Sequence, residues 1–239
     1  MKKLLLVLVL MVSLCAFASA EELPLSSLNG KIIGVNAGHQ KYANNKKEPI
    51  APGSKKKKAK CTYGTGGKKT KANEYNVNLQ IALKLRDTLV ARGAIVVMSR
   101  ESNNVNISNA TRAKRFNAAN ADMAIHLHCD SAGSGVRGAR IYAPSKYVKK
   151  SIRKESYKAA KLVLKHMRQR TGAKSRGAHK SAGFTSLNYA KQPTMLFEMG
   201  YLSNAKEEKK LVSSAYQQKI AEGIADGMER YFDSLQPGL

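Results

Sequence analysis

Five short apolar runs punctuate the chain: KIIGVN (31–36), AIVVM (94–98), DMAIHLH (122–128), ARIY (139–142) and TMLFE (194–198). Between them lie longer stretches in which apolar residues recur at helical spacing. Val77, Ile81, Leu85 and Leu89 follow one another every fourth residue, between a capping Asn73 and a terminating Gly93. They predict a helix from about Glu74 to Arg92. Ser108 caps a second predicted helix over 109–120, which turns Ala113 and Phe116 inward. A third helix is expected over 151–170, with Tyr157, Ala160, Leu164 and Met167 inside, and a last one over 214–232, with Ile220, Ile224 and Met228 inside. Strands alternating with helices bury both faces of a sheet and favour parallel pairing. With no internal repeat and no linker, the expectation is one α/β domain with a largely parallel twisted sheet and helices on both faces. Residues 173–192 read as irregular.

Two stretches stand outside this pattern. Lys2 and Lys3, an apolar run from Leu4 to Leu14 and Ala18-Ser19-Ala20 have the order of an export signal with a cleavage site. That run is short of the roughly 20 residues a membrane span needs, so residues 1–20 are expected to leave and 21–239 to fold. No other stretch is long and apolar enough to span a bilayer, and a secreted protein of the cell wall or periplasm is expected. Cys61 and Cys129 would remain, free to pair only if the fold brings them within reach.

The second stretch, 40–73, has almost no apolar periodicity and reads as a long loop. It carries eleven lysines and one acid. The whole chain has 42 Lys+Arg against 16 Asp+Glu, a formal charge of +26. Such an excess first suggests nucleic acid, but interleaved aromatics for base stacking are missing, since 41–72 holds only Tyr42 and Tyr63 and the chain has no Trp. An anionic wall polymer or acidic peptides suit an exported protein better, and no nucleic-acid partner is expected.

In open α/β sheets ligands bind beyond the carboxyl ends of the strands. His39 lies just past the first apolar run, His126 and His128 close the third, Glu198 closes the last, and Glu74 opens the helix that the basic segment delivers. Two imidazoles and a carboxylate form a catalytic zinc set with one position open to water, and a further carboxylate can act as general base and acid. His126 and His128 face the same way, so spacing does not choose between them. An acid ending an apolar strand, as Glu198 does, is costly unless it has a partner or a task. Arg100 ends a strand on the same side and is a candidate for holding a substrate carboxylate.

The stretches GVNAGHQ (34–40), KANEYNVNLQIALKLRDTLVARGAIVVMSR (71–100), RAKRFNAANADMAIHLHCDSA (112–132) and TMLFEMGYLSN (194–204) resemble the zinc-dependent N-acetylmuramoyl-L-alanine amidases of cell-wall autolysins and of germination and sporulation amidases. They are spread across nearly all of 21–239 in the family's order. The resemblance implies one zinc ion on His39, Glu74 and His128, with Glu198 as the catalytic glutamate and His126 in support. It implies hydrolysis of the amide between N-acetylmuramic acid and the L-alanine of the stem peptide, with peptidoglycan as substrate; the charge of the 41–72 lysines, independently, makes anionic wall polymers their expected partners. A zinc peptidase acting within stem peptides and a non-catalytic wall-binding protein are the alternatives. The chain departs from the family pattern at Asn36, where Asp is usual, at Gln40, where Gly is usual, and at Cys129-Asp130, which replaces an Asn. Loss of the Asp is expected to remove a negative charge beside the metal, and Asp130 to restore one.

Overall fold

A computed structural model describes residues 25–236; the candidate export signal lies outside them. Six strands form the main sheet: β1 (Ile32–Ala37), β4 (Ile95–Met98), β5 (Met123–Asp130), β6 (Ala139–Pro144), β7 (Ser175–Ser181) and β8 (Thr194–Tyr201), in the order β4-β1-β5-β8-β6-β7. All neighbours are parallel except β6 and β8, which run antiparallel.

The two faces of the sheet are covered unequally. Ile33 and Val35 of β1, Met123, Ile125 and Leu127 of β5, and Met195 and Phe197 of β8 point into the main core. There they meet α1 (Glu74–Val90), α3 (Lys150–Thr171) and α6 (Ser214–Asp233). Gly223 and Gly227 let α6 press onto α3, because a Cβ at either position would stand 2.5 or 2.4 Å from the Cα of Met167 or Val163. The opposite face carries the alternate residues, Gly34, Asn36, Ala124, His126, His128, Leu196 and Glu198. The short α2 (Asn109–Ala118) covers its lower half through Phe116, which packs on Gly34 and Ala124. Among the described residues no comparable helix covers the carboxyl ends of β5 and β8, and His128 and Glu198 line a cleft there.

Two regions are more ordered than their sequence suggests. The 40–73 segment contains an antiparallel hairpin of β2 (Asn44–Pro49) and β3 (Lys57–Cys61). Its turn buries Ile50 and Ala51, Lys58 Nζ donates to Gly183 O at 2.9 Å, and Asn188 Nδ2 donates to Ile50 O at 2.9 Å. Lys46, Lys47, Lys57 and Lys58 of its strands are exposed and only Glu48 and Cys61 are buried, so the apolar alternation that marks a strand is missing. The 173–192 region supplies edge strand β7 and the single-turn α4 (Thr185–Asn188). As an edge strand, β7 has no fully buried residue and only Ala178 packs against the core, so it shows no apolar run. A further short helix, α5 (Ala205–Leu211), follows β8. Among the described residues no helix is long and apolar enough to cross a membrane.

Candidate metal centre

His39 sits two residues past β1 with φ of 60°, a left-handed conformation that costs a non-glycine residue on the order of 1–3 kcal/mol. Two buried guanidinium groups hold the turn in it. Arg112 donates to Ala37 O at 2.7 Å and His39 O at 2.9 Å; Arg100 donates to Ala37 O and Gly38 O, both at 3.0 Å. Gly38 is required by close approach, since a Cβ there would stand 2.4 Å from His128 Nε2 and 2.6 Å from Leu127 O. The His39 ring is fixed by the chain that follows the hairpin: its Nδ1 lies 2.9 Å from Thr62 O and 3.0 Å from Thr62 Oγ1. Donation from Nδ1 to the carbonyl leaves Nε2 as the free lone pair, the orientation metal-binding histidines adopt.

Nε2 of His39 then meets Glu74 Oε1 at 3.2 Å, and His128 Nδ1 meets the same oxygen at 3.2 Å. The two imidazole rings stand edge to face with centroids 4.7 Å apart. Glu74, in the first turn of α1, is buried and also accepts from Cys129 N at 3.1 Å, Asn78 Nδ2 at 3.2 Å and Thr65 N at 2.9 Å. Burial alone would raise its carboxyl, but the hydrogen bonds and charges of His128 and His39 outweigh that and hold it below the usual range. Burial depresses His128 despite Glu74. One donor atom from each of His39, Glu74 and His128 lies within 4.8 Å of the other two. Two imidazoles around a buried carboxylate form a donor set suited to a divalent cation such as zinc.

Glu198 lies directly across from His128 in the β5–β8 register and lines the same cleft, of about 400 Å³, together with His39, Glu74, Asp130 and Phe184. Burial, with the like charges of Glu74 and Asp130, pushes its carboxyl well above the ordinary range. Its Oε2 has no hydrogen-bond partner among the described residues. Of the sequence expectations, His39, Glu74, His128 and Glu198 all come together here.

Others are corrected. Arg100 does not reach the cleft; its donors are spent on Ala37 O, Gly38 O, Tyr75 O, Ser102 O and Asn103 Oδ1, and burial with neighbouring Arg112 lowers it to about 9. Asn36 does not sit beside the donor set. Its Oδ1 accepts from Arg112 Nη1 at 2.8 Å and Ser99 Oγ at 2.7 Å, so the missing carboxylate is missing from Arg112. Gln40 is buried and accepts from Arg112 Nη2 at 3.0 Å. Asp130 does supply a carboxylate to the cleft, where it pairs with Arg140. His126 is buried against Phe116, ring centroids 5.8 Å apart, with neither ring nitrogen hydrogen-bonded among the described residues; burial lowers it to about 3. Cys61 and Cys129 are buried and free, the first beside Arg112 and the second in the main core.

Sequence reasoning missed Thr62, Asn78 and the clamp role of Arg112. Asn78 was accessible, standing four residues after Glu74 on one helix face. Thr62 carried no signal, because its partner is 23 residues away across the hairpin.

The family model described as N-acetylmuramoyl-L-alanine amidase matches residues 33–230. The germination-specific N-acetylmuramoyl-L-alanine amidase of Bacillus subtilis (strain 168) is 30% identical over 173 residues, covering 66% of this chain and 70% of that one. N-acetylmuramoyl-L-alanine amidase LytC of the same organism is 31% identical over 160 residues, 66% of this chain but only 31% of LytC. Among solved structures, the amidase Ami1 of Mycobacterium smegmatis superposes with a TM-score of 0.80 at 22% identity, over 87% of this chain and 99% of that one, and shares the fold. The catalytic domain of CwlV from Bacillus (Paenibacillus) polymyxa var. colistinus superposes at 0.69 and 28% identity, over 85% and 98%. With a donor set at the sheet's carboxyl edge and a family match running from β1 into α6, the chain belongs to the N-acetylmuramoyl-L-alanine amidase family.

Proposed function

We propose that this protein hydrolyses the amide between the lactyl group of N-acetylmuramic acid and the L-alanine of the stem peptide, with His39, Glu74 and His128 holding one zinc ion and Glu198 moving the proton. The observation that carries the reading is the convergence of a three-residue donor set and an unpartnered, raised carboxyl in one cleft. Zinc, when bound, supplies Lewis acidity toward the scissile carbonyl and acidity to a water. Thr62 and Asn78 keep His39 and Glu74 aimed at the ion. Glu198, more basic than an ordinary carboxylate, takes the proton of the attacking water and returns it to the leaving amine. Phe184 and Leu196 line the cleft and limit water around that transfer.

Release of peptides from purified peptidoglycan, abolished by EDTA and restored by zinc, tests the activity. Products with a free lactyl carboxyl support the amidase, whereas shortened peptides overturn it in favour of a peptidase. Glu198→Gln is expected to lower kcat by about 10²–10⁴-fold while zinc stays near one per chain. Full activity in that variant removes Glu198 from the mechanism.

The same reading has the protein exported, with Met1–Ala20 removed, to a cell wall or periplasm. The Lys2-Lys3 start and the Ala18-Ser19-Ala20 site support it. N-terminal sequencing of the exported protein should begin at Glu21. The lysine-rich 41–72 segment is proposed to meet anionic polymers there.

A further inference from the structure

The lysines of 41–72 do not form one patch. Those of the hairpin stand beside the active cleft, where Lys58 forms part of the lining. Lys68 and Lys69 belong to a separate strap, 65–73, closed by the bridge between Gly66 and Asn73. That strap forms one wall of a second groove, of about 740 Å³, whose other walls are the 134–137 segment, the start of β7 and residues 203–206 leading into α5. Six cationic residues line it, Lys68, Lys69, Arg137, Lys174, Arg176 and Lys206, against one acid, Glu208. All six residues are exposed, and none makes an ion pair among the described residues.

Two glutamates stand next to these cations without neutralising them by contact. Glu207 accepts from Gly138 N at 2.7 Å and Tyr201 N at 2.8 Å. Glu208, buried, accepts from Lys69 N at 3.0 Å and from Thr70 Oγ1 at 2.7 Å. Asn204 Nδ2 donates to Ser134 O at 2.7 Å. The acids and the amide therefore brace the walls through backbone groups, and none of the six cations is taken up in an ion pair among the described residues, although Arg176 lies over the Tyr201 ring at 5.6 Å. Six like charges around one concavity repel one another until an anion enters, and a groove held open in advance spends little on ordering when it does.

We infer that this groove docks a linear phosphodiester polyanion of the wall, separately from the active cleft. A stem peptide presents its carboxylates singly, whereas a chain with an anion in every repeat can engage six cations together. Arg137 and Arg176 offer paired donors to phosphate oxygens, and the lysines act as point charges. No aromatic ring lines the groove, so it offers a nucleic-acid chain no surface for base stacking. The inference rests on the wall-located reading above and assigns its anionic partner to the groove rather than to the hairpin.

The test uses the zinc-loaded protein from Glu21 onward with poly(glycerol phosphate) as probe, titrated at several salt concentrations. R137Q/K174Q/K206Q is expected to weaken binding more than tenfold and to flatten its salt dependence, with cleavage of a small soluble muropeptide unchanged. K55Q/K56Q/K57Q, on the hairpin, is expected to change binding less than twofold. Equal loss in the hairpin variant overturns the assignment to the groove. Tighter binding of polyglutamate or oligothymidylate of equal charge overturns the phosphodiester partner. Because muropeptide cleavage is read separately, failure of polymer binding leaves the amidase reading untouched, and failure of cleavage leaves the groove measurable. Circular dichroism of each variant confirms folding, and a misfolded triple variant is replaced by R137Q and K206Q singly, each expected to lose at least twofold.

Discussion

Arg112 has the most consequential surroundings of any single residue here. Its guanidinium is fully buried, and every strong acceptor around it is neutral: Asn36 Oδ1, Ala37 O, His39 O and Gln40 Oε1, with Cys61 Sγ at 3.7 Å. Burial accordingly lowers its pKa. A buried charge that keeps only neutral partners remains incompletely compensated. Asn36→Asp restores a carboxylate 2.8 Å from Arg112 Nη1 and is expected to raise stability by about 1.5–3 kcal/mol, the worth of a hydrogen bond between charged groups. Denaturant unfolding checks this, and no gain at neutral pH would show that the neutral clamp is already sufficient. The sequence marked position 36 as unusual, but it could not say that the side chain faces Arg112 rather than the donor set. That depends on which face of β1 meets α2.

Among the elements, the regular helices were legible because each buries one stripe against the sheet, and their periodicity survives in the residue order. The strap and the hairpin were not. Their order comes from a few long-range contacts, and a segment with eleven lysines carries no apolar rhythm to betray it. The strap depends chiefly on Glu208, whose carboxylate is held below the ordinary range: burial raises it, and hydrogen bonds from Thr70 and the strap amides outweigh the burial. Glu208→Ala is expected to cost about 1–3 kcal/mol through amides left without their acceptor. It should also open Lys68, Lys69 and Lys71 to trypsin before any other site. Limited proteolysis with mass analysis reads the second effect, and protection equal to the unaltered protein would mean the strap is held by something else. Gly227→Ala, which brings a Cβ to 2.4 Å from Val163 Cα, is expected to destabilise by about 1–3 kcal/mol by forcing α3 and α6 apart. Thermal unfolding measures it.

Across the whole molecule, three helices are tied at one end by a charged network. Asp226 of α6 accepts from Arg92, just beyond α1, and from Arg170 of α3, both at 2.7 Å. Burial raises the Asp226 carboxyl, and the Arg170 and Arg92 hydrogen bonds more than offset it, so its pKa lies below the ordinary value. A depressed carboxyl contributes stability above its unfolded pKa of about 3.9 and loses it as pH falls further. Asp226→Asn should therefore cost about 1 kcal/mol near neutral pH and nothing once pH drops well below that value. A difference that grows toward acid pH would reverse the assignment.

The order of apolar runs and helical stripes was enough to specify an α/β sheet, because burial of one face per element is written into residue spacing. It was also enough to nominate His39, Glu74, Glu198 and one of His126 and His128, because strand ends and helix starts are where such a sheet gathers its ligands; the family resemblance then singled out His128. Only the tertiary structure decided that Arg100 and Arg112 serve the turn, that Thr62 aims His39, and that the basic segment divides between a cleft wall and a second groove. Those outcomes depend on contacts between residues far apart in the chain. Local spacing carries no record of which distant carbonyl or carboxylate a side chain will meet.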